Sequence, residues 1–288
     1  TLHMKDGILE RKLTWTASSG KMTEIHIFRL VSFARKNIMA IRYQVRPVNY
    51  AGTVEFVSKM QADVENHTRK TNPIVDYGPF GRRLDPDKVK AENDISYYEG
   101  TTKGSHLTVA CGSVHELWCD GQTVTDVNWM AEAGEMDTVS RVSLSAKEGE
   151  LAAAKSEGYE KLKEQQKSYM QDFWKTADVE IKGNEELQQG LHFNLFHIIQ
   201  SAGRDGKTGM GAKGLSGEGY EGHYFWDTEM YVLPVLIFTE PETARKLLDY
   251  RYATLPQARD RARILGHMKG ALYPWRTING EEASTYYP

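Results

Sequence analysis

The chain has 288 residues, of which 40% are hydrophobic and 26% are charged, and its formal net charge at pH 7 is -3. This composition is ordinary for a globular protein, and the length predicts about two domains. The small negative charge disfavours nucleic acid or an anionic membrane as the main partner, and no apolar run in the sequence is long enough to span a bilayer. Two cysteines, Cys111 and Cys119, are too few for a disulfide scaffold and predict reduced thiols in a cytoplasmic protein.

The first half of the chain, to about residue 145, has the pattern of short β-strands. Residues 38–47 (IMAIRYQVRP) alternate between apolar and polar side chains, which is typical of an antiparallel strand with one buried face. Residues 76–93 are polar and predict a long loop, and Asp120-Gly121 predicts a turn. Further strands are predicted at 24–33, 53–58, 107–111 and 114–119. Many short strands joined by turns favour an antiparallel β-sandwich.

Helix-forming residues dominate from about residue 146. The pattern predicts a long helix over 146–174, either continuous or broken at Gly158, which would link the two halves of the chain. Asn184 can cap the next helix, whose apolar stripe consists of Leu187, Leu191, Leu195 and Ile198.

Two more helices are predicted further on. A capping box of Thr239 and Glu242 begins one of them, and Gly266 ends the other. The loops between these helices carry aromatic and charged residues. Such an alternation is what a helical barrel would show.

The loop at residues 217–229, GEGYEGHYFWDTE, combines three glycines with three successive aromatic residues, and two carboxylates, Asp227 and Glu229, follow the aromatic run. Glycines let a loop approach a ligand closely. An aromatic face beside carboxylate acceptors suits a sugar ring, because a pyranose has C–H faces and hydroxyl groups. On this hypothesis Trp226 stacks on a sugar and Asp227 accepts hydrogen bonds from its hydroxyls. The alternative is structural: Asp227 caps a helix that begins near Trp226, and the aromatic residues pack in the core.

A second loop, residues 273–282 (YPWRTINGEE), again places aromatic residues beside an arginine and two carboxylates. Glu281 and Glu282 are adjacent, so they cannot both face one ligand along a strand. The alternative interpretation is a solvated turn at Asn279-Gly280 with charged flanks.

Paired carboxylates also suit glycoside hydrolysis, in which one group protonates the leaving oxygen and, for inversion, another activates water. Asp227 and Glu229 are too close in sequence to flank a bond from opposite sides. The spacing of His192 and His197 does not match that of metal ligands, so no metal site is expected. The sequence also shows no Ser or Cys nucleophile motif and no P-loop.

The chain closely resembles glycoside hydrolase family 65. Four ordered segments carry the resemblance: 217–229, 247–252 (LLDYRY), 269–275 (KGALYPW) and 279–282 (NGEE). The first half matches the family more loosely, through residues 5–11 (KDGILER) and the strand near 29–32. The family contains phosphorylases of maltose, trehalose, kojibiose and nigerose, together with some hydrolases.

The resemblance implies an α+β multidomain fold. Residues 1–145 would form an antiparallel β-sandwich, 146–180 a helical linker, and 181–288 the first helices of an (α/α)6 barrel. Both the sandwich and the barrel would be incomplete, so the chain is expected to be a fragment of a longer protein. The family's general-acid glutamate and its phosphate-binding segment would lie beyond Pro288, and no catalytic residue is expected in this chain.

The resemblance also implies an activity, that of a glycosyltransferase-type α-glucoside phosphorylase. Phosphate would attack the anomeric carbon of an α-glucoside with inversion while an acid protonates the leaving oxygen, which yields β-glucose 1-phosphate and a free acceptor. Inorganic phosphate is the co-substrate, and no cofactor is expected. The family counterparts of Trp226 and Asp227 help to hold the transferred glucose. Tyr224, Trp275 and Arg276 are further candidates for substrate binding.

Two other functions stay open. The first is hydrolysis of α-glucosides on the same fold, and the second is a non-catalytic carbohydrate-binding or structural fragment. The implied partners are the α-glucoside and phosphate, with neither nucleic acid nor a membrane. A homodimer is one alternative for the assembly.

Overall fold

Antiparallel strands dominate the first part of the chain and helices the second, as the sequence predicts. The computed structural model describes residues 1–56, 58, 84–92, 95–104, 106–120, 122–123, 145–215 and 220–284. The chain divides into two compact units. The first consists of Thr1–Leu13, His26–Gln44 and Lys163–Pro288, and the second of Thr14–Ile25 and Val45–Leu162. The domain boundaries at residues 145 and 180 stay predictions.

Within the described residues, the strands form one four-stranded sheet, one three-stranded sheet and two short ribbons. The larger sheet has the order β1-β2-β3-β4, the three-stranded sheet is β5-β6-β7, and the ribbons are β8-β9 and β10-β11; both ribbons and the three-stranded sheet are antiparallel. The strands are β1 Leu2–His3, β2 Ile8–Thr16, β3 Met22–Val31, β4 Met39–Pro47, β5 Leu84–Glu92, β6 Ile95–Thr102, β7 Thr108–Val114, β8 Trp118–Cys119, β9 Gln122–Thr123, β10 Tyr224–Phe225 and β11 Arg276–Thr277.

Three of the strand predictions are confirmed, as β3, β4 and β7. The strand predicted at 53–58 is wrong for residues 53–56 and 58, which lie outside any strand, and residue 57 is not among the described residues. Within the strand predicted at 114–119, Val114 belongs to β7 and Trp118–Cys119 forms β8. Strand β8 pairs with β9 across the predicted turn at Asp120.

The prediction of a loop at 76–93 is wrong for residues 84–92, because Leu84–Glu92 forms β5 and pairs with β6 along its length. Its polar composition hid this strand, since pairing with a neighbour can outweigh local propensity. Pro86 lies at a register shift in this pairing, where the missing N–H of proline is tolerated. Residues 76–83 lie outside the described part of the chain.

The apolar side of β4 is exposed, although the alternation of its residues predicts a buried face. Met39 is 62% exposed, Ile41 53% and Tyr43 48%. The strand prediction is therefore right, and the prediction of a buried face is wrong for these three side chains.

The helices agree with several local signals in the sequence. They are α1 Ser145–Ala177, α2 Glu185–Ser201, α3 Leu233–Thr239, α4 Pro241–Ala253 and α5 Leu255–Ile264, and a π-helical turn, Thr228–Val232, precedes α3. Gly158 breaks α1 at φ 76°. Asn184 caps α2 by accepting a hydrogen bond from the Leu187 N–H at 3.0 Å. Gly266, at φ 84°, follows α5 as predicted.

Two details of the helix predictions are wrong. Thr239 does not begin a capping box; it is the last residue of α3, and its hydroxyl donates to the Val235 carbonyl at 2.9 Å. Glu240 is the N-cap of α4 and makes no side-chain capping bond. Leu187 is exposed, because the buried face of α2 passes instead through Leu195, Phe196 and Ile199.

The core of the first unit forms where the later part of α1 packs with α2, α3 and α4. Its largest members are Phe33, Met170, Phe173, Leu195, Phe196, Ile199, Leu233, Leu236 and Leu247. The buried Gln166 side chain accepts from the Phe33 N–H at 2.8 Å and donates to the Gly7 carbonyl at 3.1 Å. These two bonds satisfy the buried amide, so the polar side chain does not weaken the core. Among the helices described, none has the length and apolar character that crossing a membrane requires.

Candidate functional site

The two loops singled out from the sequence lie side by side in the first unit. We call residues 220–229 the first segment and residues 273–282 the second segment. Strands β10 and β11 pair antiparallel, with Tyr224 opposite Thr277 and Phe225 opposite Arg276. This short ribbon joins the two segments.

Trp226 is an exposed aromatic residue of this junction, at 41% exposure. Its Nε1–H donates to the Pro274 carbonyl at 2.8 Å, which fixes the indole to the second segment. The Trp275 ring meets it edge-on, with centroids 5.5 Å apart and planes at 82°, and meets Phe225 in the same manner at 5.6 Å. Such edge-to-face contacts hold an aromatic ring in a defined orientation.

Asp227 is exposed at the entrance to the π-helical turn. The structural alternative requires its carboxylate to accept from the N–H groups of the helix. Asp227 makes no side-chain capping bond. The exposed carboxylate, on the residue that follows Trp226, is therefore without the structural task that the alternative assigns to it.

Tyr224 lies beneath this surface, although the sequence made it a candidate for substrate binding. It is buried, and its hydroxyl donates to Glu229 Oε1 at 3.0 Å. Burial and the neighbouring Glu229 carboxylate raise the pKa of Tyr224, so the hydroxyl stays protonated and remains a donor. In this structure Tyr224 therefore has a structural role, through its contact with Glu229.

Arg251, near the end of α4, connects the two segments from below. Its Nε pairs with Glu229 Oε1. Its guanidinium lies over two rings, 4.4 Å from the centroid of Tyr224 and 5.0 Å from that of Tyr273. The Tyr273 hydroxyl in turn donates to the Arg251 carbonyl at 3.0 Å. Sequence reasoning did not identify Arg251, whose only signal was its place in the segment 247–252.

A second ion pair supports the second segment from α5. Arg261 Nη1 lies 2.8 Å from Glu282 Oε2, and both side chains are nearly buried. Glu282 also accepts from three backbone N–H groups, those of Trp275 at 2.8 Å, Arg276 at 3.1 Å and Ser284 at 3.2 Å. The alternative interpretation, a solvated turn with charged flanks, therefore does not hold at Glu282, because its carboxylate binds backbone N–H groups and Arg261 and is nearly buried.

The remaining candidates are less exposed than Trp226. Trp275 is half-buried between Phe225 and Trp226. Arg276 is half-buried as well, and its Nη2 lies 3.2 Å from His223 Nδ1. The site thus brings all five predicted residues together, with Trp226 and Asp227 at its surface.

The glycines of the first loop are only partly described. Gly222 has φ 76°, and Gly217 and Gly219 lie outside the described residues. An earlier glycine, Gly209, packs closely against the rings of Tyr224 and Tyr250. A Cβ at Gly209 would lie 2.4 Å from Tyr224 Cδ2 and 3.0 Å from Tyr250 Cε1. The backbone can approach these rings only because residue 209 has no side chain.

Two sequence models of one family match the chain. The model described as "Glycosyl hydrolase family 65, N-terminal domain" matches residues 1–173, and the "Glycosyl hydrolase family 65 central catalytic domain" matches residues 192–288. Both segments of the candidate site fall within the second match.

Similar proteins include two alpha,alpha-trehalose phosphorylases, from Thermoanaerobacter brockii at 39% identity and from Geobacillus stearothermophilus at 41%, each matching 100% of this chain. A kojibiose phosphorylase of Thermoanaerobacter brockii is 32% identical over 99% of the chain. The chain spans 40% of the length of each of these relatives. A solved structure from the human microbiome, provisionally named a kojibiose phosphorylase, shares the fold with a TM-score of 0.73 at 21% identity, over 98% of this chain and 39% of that one.

Proposed function

Because the chain belongs to glycosyl hydrolase family 65, we propose that it is part of an inverting α-glucoside phosphorylase that grips a glucosyl ring at Trp226 and Asp227. The relatives are named as trehalose and kojibiose phosphorylases, which supports phosphorolysis of a disaccharide as the reaction. The observation that carries the proposal is the exposed indole of Trp226, which is oriented by the Pro274 carbonyl and followed in sequence by the exposed Asp227.

This pair of side chains can bind a sugar in two complementary ways. The Nε1–H of Trp226 is already bonded, so the indole offers its apolar face to the C–H groups of a pyranose. The carboxylate of Asp227 is an acceptor for hydroxyl groups, and hydrogen bonds to a charged acceptor are stronger than neutral ones. A glucosyl ring that stacks on the indole and is hydrogen-bonded through its hydroxyls is held in one orientation for glucosyl transfer.

In the proposed reaction, phosphate attacks the anomeric carbon of the bound glucosyl unit. The bond to the leaving oxygen breaks as a general acid protonates that oxygen, and β-glucose 1-phosphate is released with the free acceptor. Phosphate is already an anionic nucleophile, so a general base is not required. Since the chain spans 40% of its trehalose phosphorylase relatives, we assign the general acid and the phosphate-binding residues to sequence outside residues 1–288.

The same proposal extends to the architecture and the surroundings of the enzyme. The antiparallel sheets at 1–145 are assigned to a β-sandwich, 146–180 to a helical linker, and 181–288 to the opening helices of an (α/α)6 barrel. Partners are an α-glucoside and inorganic phosphate, without a further cofactor. Free, exposed thiols at Cys111 and Cys119 support a cytoplasmic location.

The reaction is tested with the full-length gene product. Trehalose and kojibiose are incubated separately with and without inorganic phosphate, and β-glucose 1-phosphate and glucose are quantified. We expect β-glucose 1-phosphate to form from one of these α-glucosides only when phosphate is present. Equal release of glucose without phosphate would show a hydrolase of the same fold.

The site is tested by Trp226→Ala. Loss of the stacking surface should weaken the affinity for the glucosyl unit by about tenfold or more, which corresponds to about 1.4 kcal/mol. Trp15→Ala is the matched control, because Trp15 is similarly exposed, at 56%, but belongs to β2. An unchanged sugar affinity in Trp226→Ala would show that the sugar binds elsewhere.

A further inference from the structure

We infer that Glu229 and Arg251 are positioning residues, which set the orientation of Trp226 and Asp227 without touching the sugar. The inference rests on the proposed function. It names a determinant of sugar affinity beneath the binding surface, in an ion pair that the proposed reaction does not use. Three observations carry it: the turn that contains Glu229, the contacts of Arg251, and the burial of Arg251.

The first observation is the shape of the chain after Asp227. The turn Thr228–Val232 is π-helical, a form that is rare and is often found at functional sites. The N–H groups of Glu229 and Met230 both donate to the Trp226 carbonyl, at 3.1 and 3.2 Å. Trp226 and Asp227 immediately precede this turn, so their orientation depends on how the turn is held. The side chain of Glu229 holds it.

The second observation is the set of partners that one guanidinium brings together. Arg251 pairs with Glu229 and lies over the rings of Tyr224 and Tyr273. Tyr224 stands two residues before Trp226, and Tyr273 immediately precedes Pro274, whose carbonyl fixes the Trp226 indole. Arg251 itself sits on α4, which gives it a rigid base.

The third observation is that Arg251 is removed from water, whereas the Glu229 side chain is 31% exposed. Arg251 is 8% exposed. Glu229 Oε2 and Arg251 Nη1 are buried atoms for which the described residues provide no hydrogen-bond partner. Neutralising Glu229 therefore leaves the Arg251 charge buried without compensation. Such a loss should shift the turn and the rings in contact with it.

Helix α4 offers a matched control. Arg245 and Glu242 form an ion pair at 2.8 Å on the same helix, but their side chains are 56% and 78% exposed. Exposed pairs of this kind contribute little. Glu242→Gln and Glu229→Gln thus make the same chemical change, one beside an exposed arginine and the other beside a buried arginine.

The experiment measures KM for the α-glucoside and KM for phosphate in the full-length enzyme. For Glu229→Gln we expect KM for the glucoside to rise about tenfold or more with KM for phosphate unchanged, because only the glucosyl contacts are misplaced. Glu242→Gln should change neither value. Arg251→Lys, which keeps the charge and loses the flat guanidinium, should give a rise between those of wild type and Glu229→Gln.

A purely structural role predicts a different result. If Glu229→Gln lowers the melting temperature and kcat but leaves both KM values at their wild-type level, the positioning role is overturned. Where Glu229→Gln does not fold, Tyr224→Phe replaces it, because this variant removes one hydrogen bond to Glu229 Oε1 and keeps both charges. It should raise KM for the glucoside severalfold, and an unchanged value overturns the inference.

A failure of the proposed reaction would be recognised separately. A wild-type enzyme without phosphate-dependent turnover refutes phosphorolysis, and calorimetric titration with glucose then replaces the kinetic assay. Weaker glucose binding by Glu229→Gln than by wild type and Glu242→Gln supports the positioning role. Equal affinities overturn it.

Discussion

The two segments of the candidate site are held in place by different kinds of contact. In the first segment the anchors are side chains: the Tyr224 hydroxyl and the Arg251 guanidinium meet at Glu229, and the Trp226 indole is bonded to a carbonyl. In the second segment the anchor is one carboxylate, that of Glu282, which accepts from backbone N–H groups and pairs with Arg261.

This difference separates the scaffold from the binding surface. A carboxylate that binds several backbone donors fixes the path of the chain, so a change there should reduce stability before it changes a ligand contact. Side-chain anchors beneath an exposed pair should instead affect orientation. The exposed pair itself should matter for ligand binding with little effect on stability.

The largest effect is expected for Glu282→Gln. The substitution removes the charge that pairs with Arg261, and an amide has a single acceptor oxygen for the three backbone N–H groups. We expect the free energy of unfolding to fall by about 3–5 kcal/mol, as for other buried pairs that lose one partner. Urea denaturation of the full-length protein measures this change.

Glu281→Gln is the control for this prediction, since Glu281 is the exposed neighbour in sequence. It should change the free energy of unfolding by less than about 0.5 kcal/mol. A loss below about 1 kcal/mol for Glu282→Gln would mean that the second segment is not held by its carboxylate, and the contrast between the segments would disappear.

A smaller effect is expected for Gly209→Ala, which acts on the first segment from behind. The new methyl group would lie 2.4 Å from Tyr224 Cδ2, so the ring must move and its bond to Glu229 is strained. Overpacking of this kind costs about 1–3 kcal/mol. Thermal unfolding and sugar affinity should both decline.

Gly190→Ala provides the comparison on helix α2, where a Cβ would meet no atom within 4 Å. Alanine is the better helix former, so this variant should be stabilised by up to about 1 kcal/mol. If both alanine variants behave alike, the close approach of Gly209 to Tyr224 has no energetic consequence.

Local signals in the sequence predicted those features of the fold that local chemistry determines. The Asn184 cap and the end of α5 at Gly266 each depend on the residue itself and its nearest neighbours. At Gly158 the sequence left a continuous and a broken helix open, and the structure has the break. Strand β5 was missed, because its polar residues are held by pairing with β6, a partner that no local pattern reveals.

The site shows the same limit. The sequence singled out both segments, but strands of two residues have no readable alternation, so their pairing through β10 and β11 could not be foreseen. Arg251 and Glu282 were missed as structural residues, since a charged side chain in a sequence gives no sign of whether it will be solvated or buried in a pair.

The smallest change in stability is expected for Asp227→Asn, at the exposed surface of the first segment. Asp227 makes no side-chain capping bond, so the free energy of unfolding should stay within about 0.5 kcal/mol of wild type. Glucose affinity should nevertheless fall by about tenfold, because a neutral amide replaces a charged acceptor. Measuring both quantities on one preparation by urea denaturation and calorimetry separates the two roles. A loss of more than about 1 kcal/mol with unchanged affinity would restore the interpretation of Asp227 as a helix cap, and the exposed indole beside it would then need another explanation.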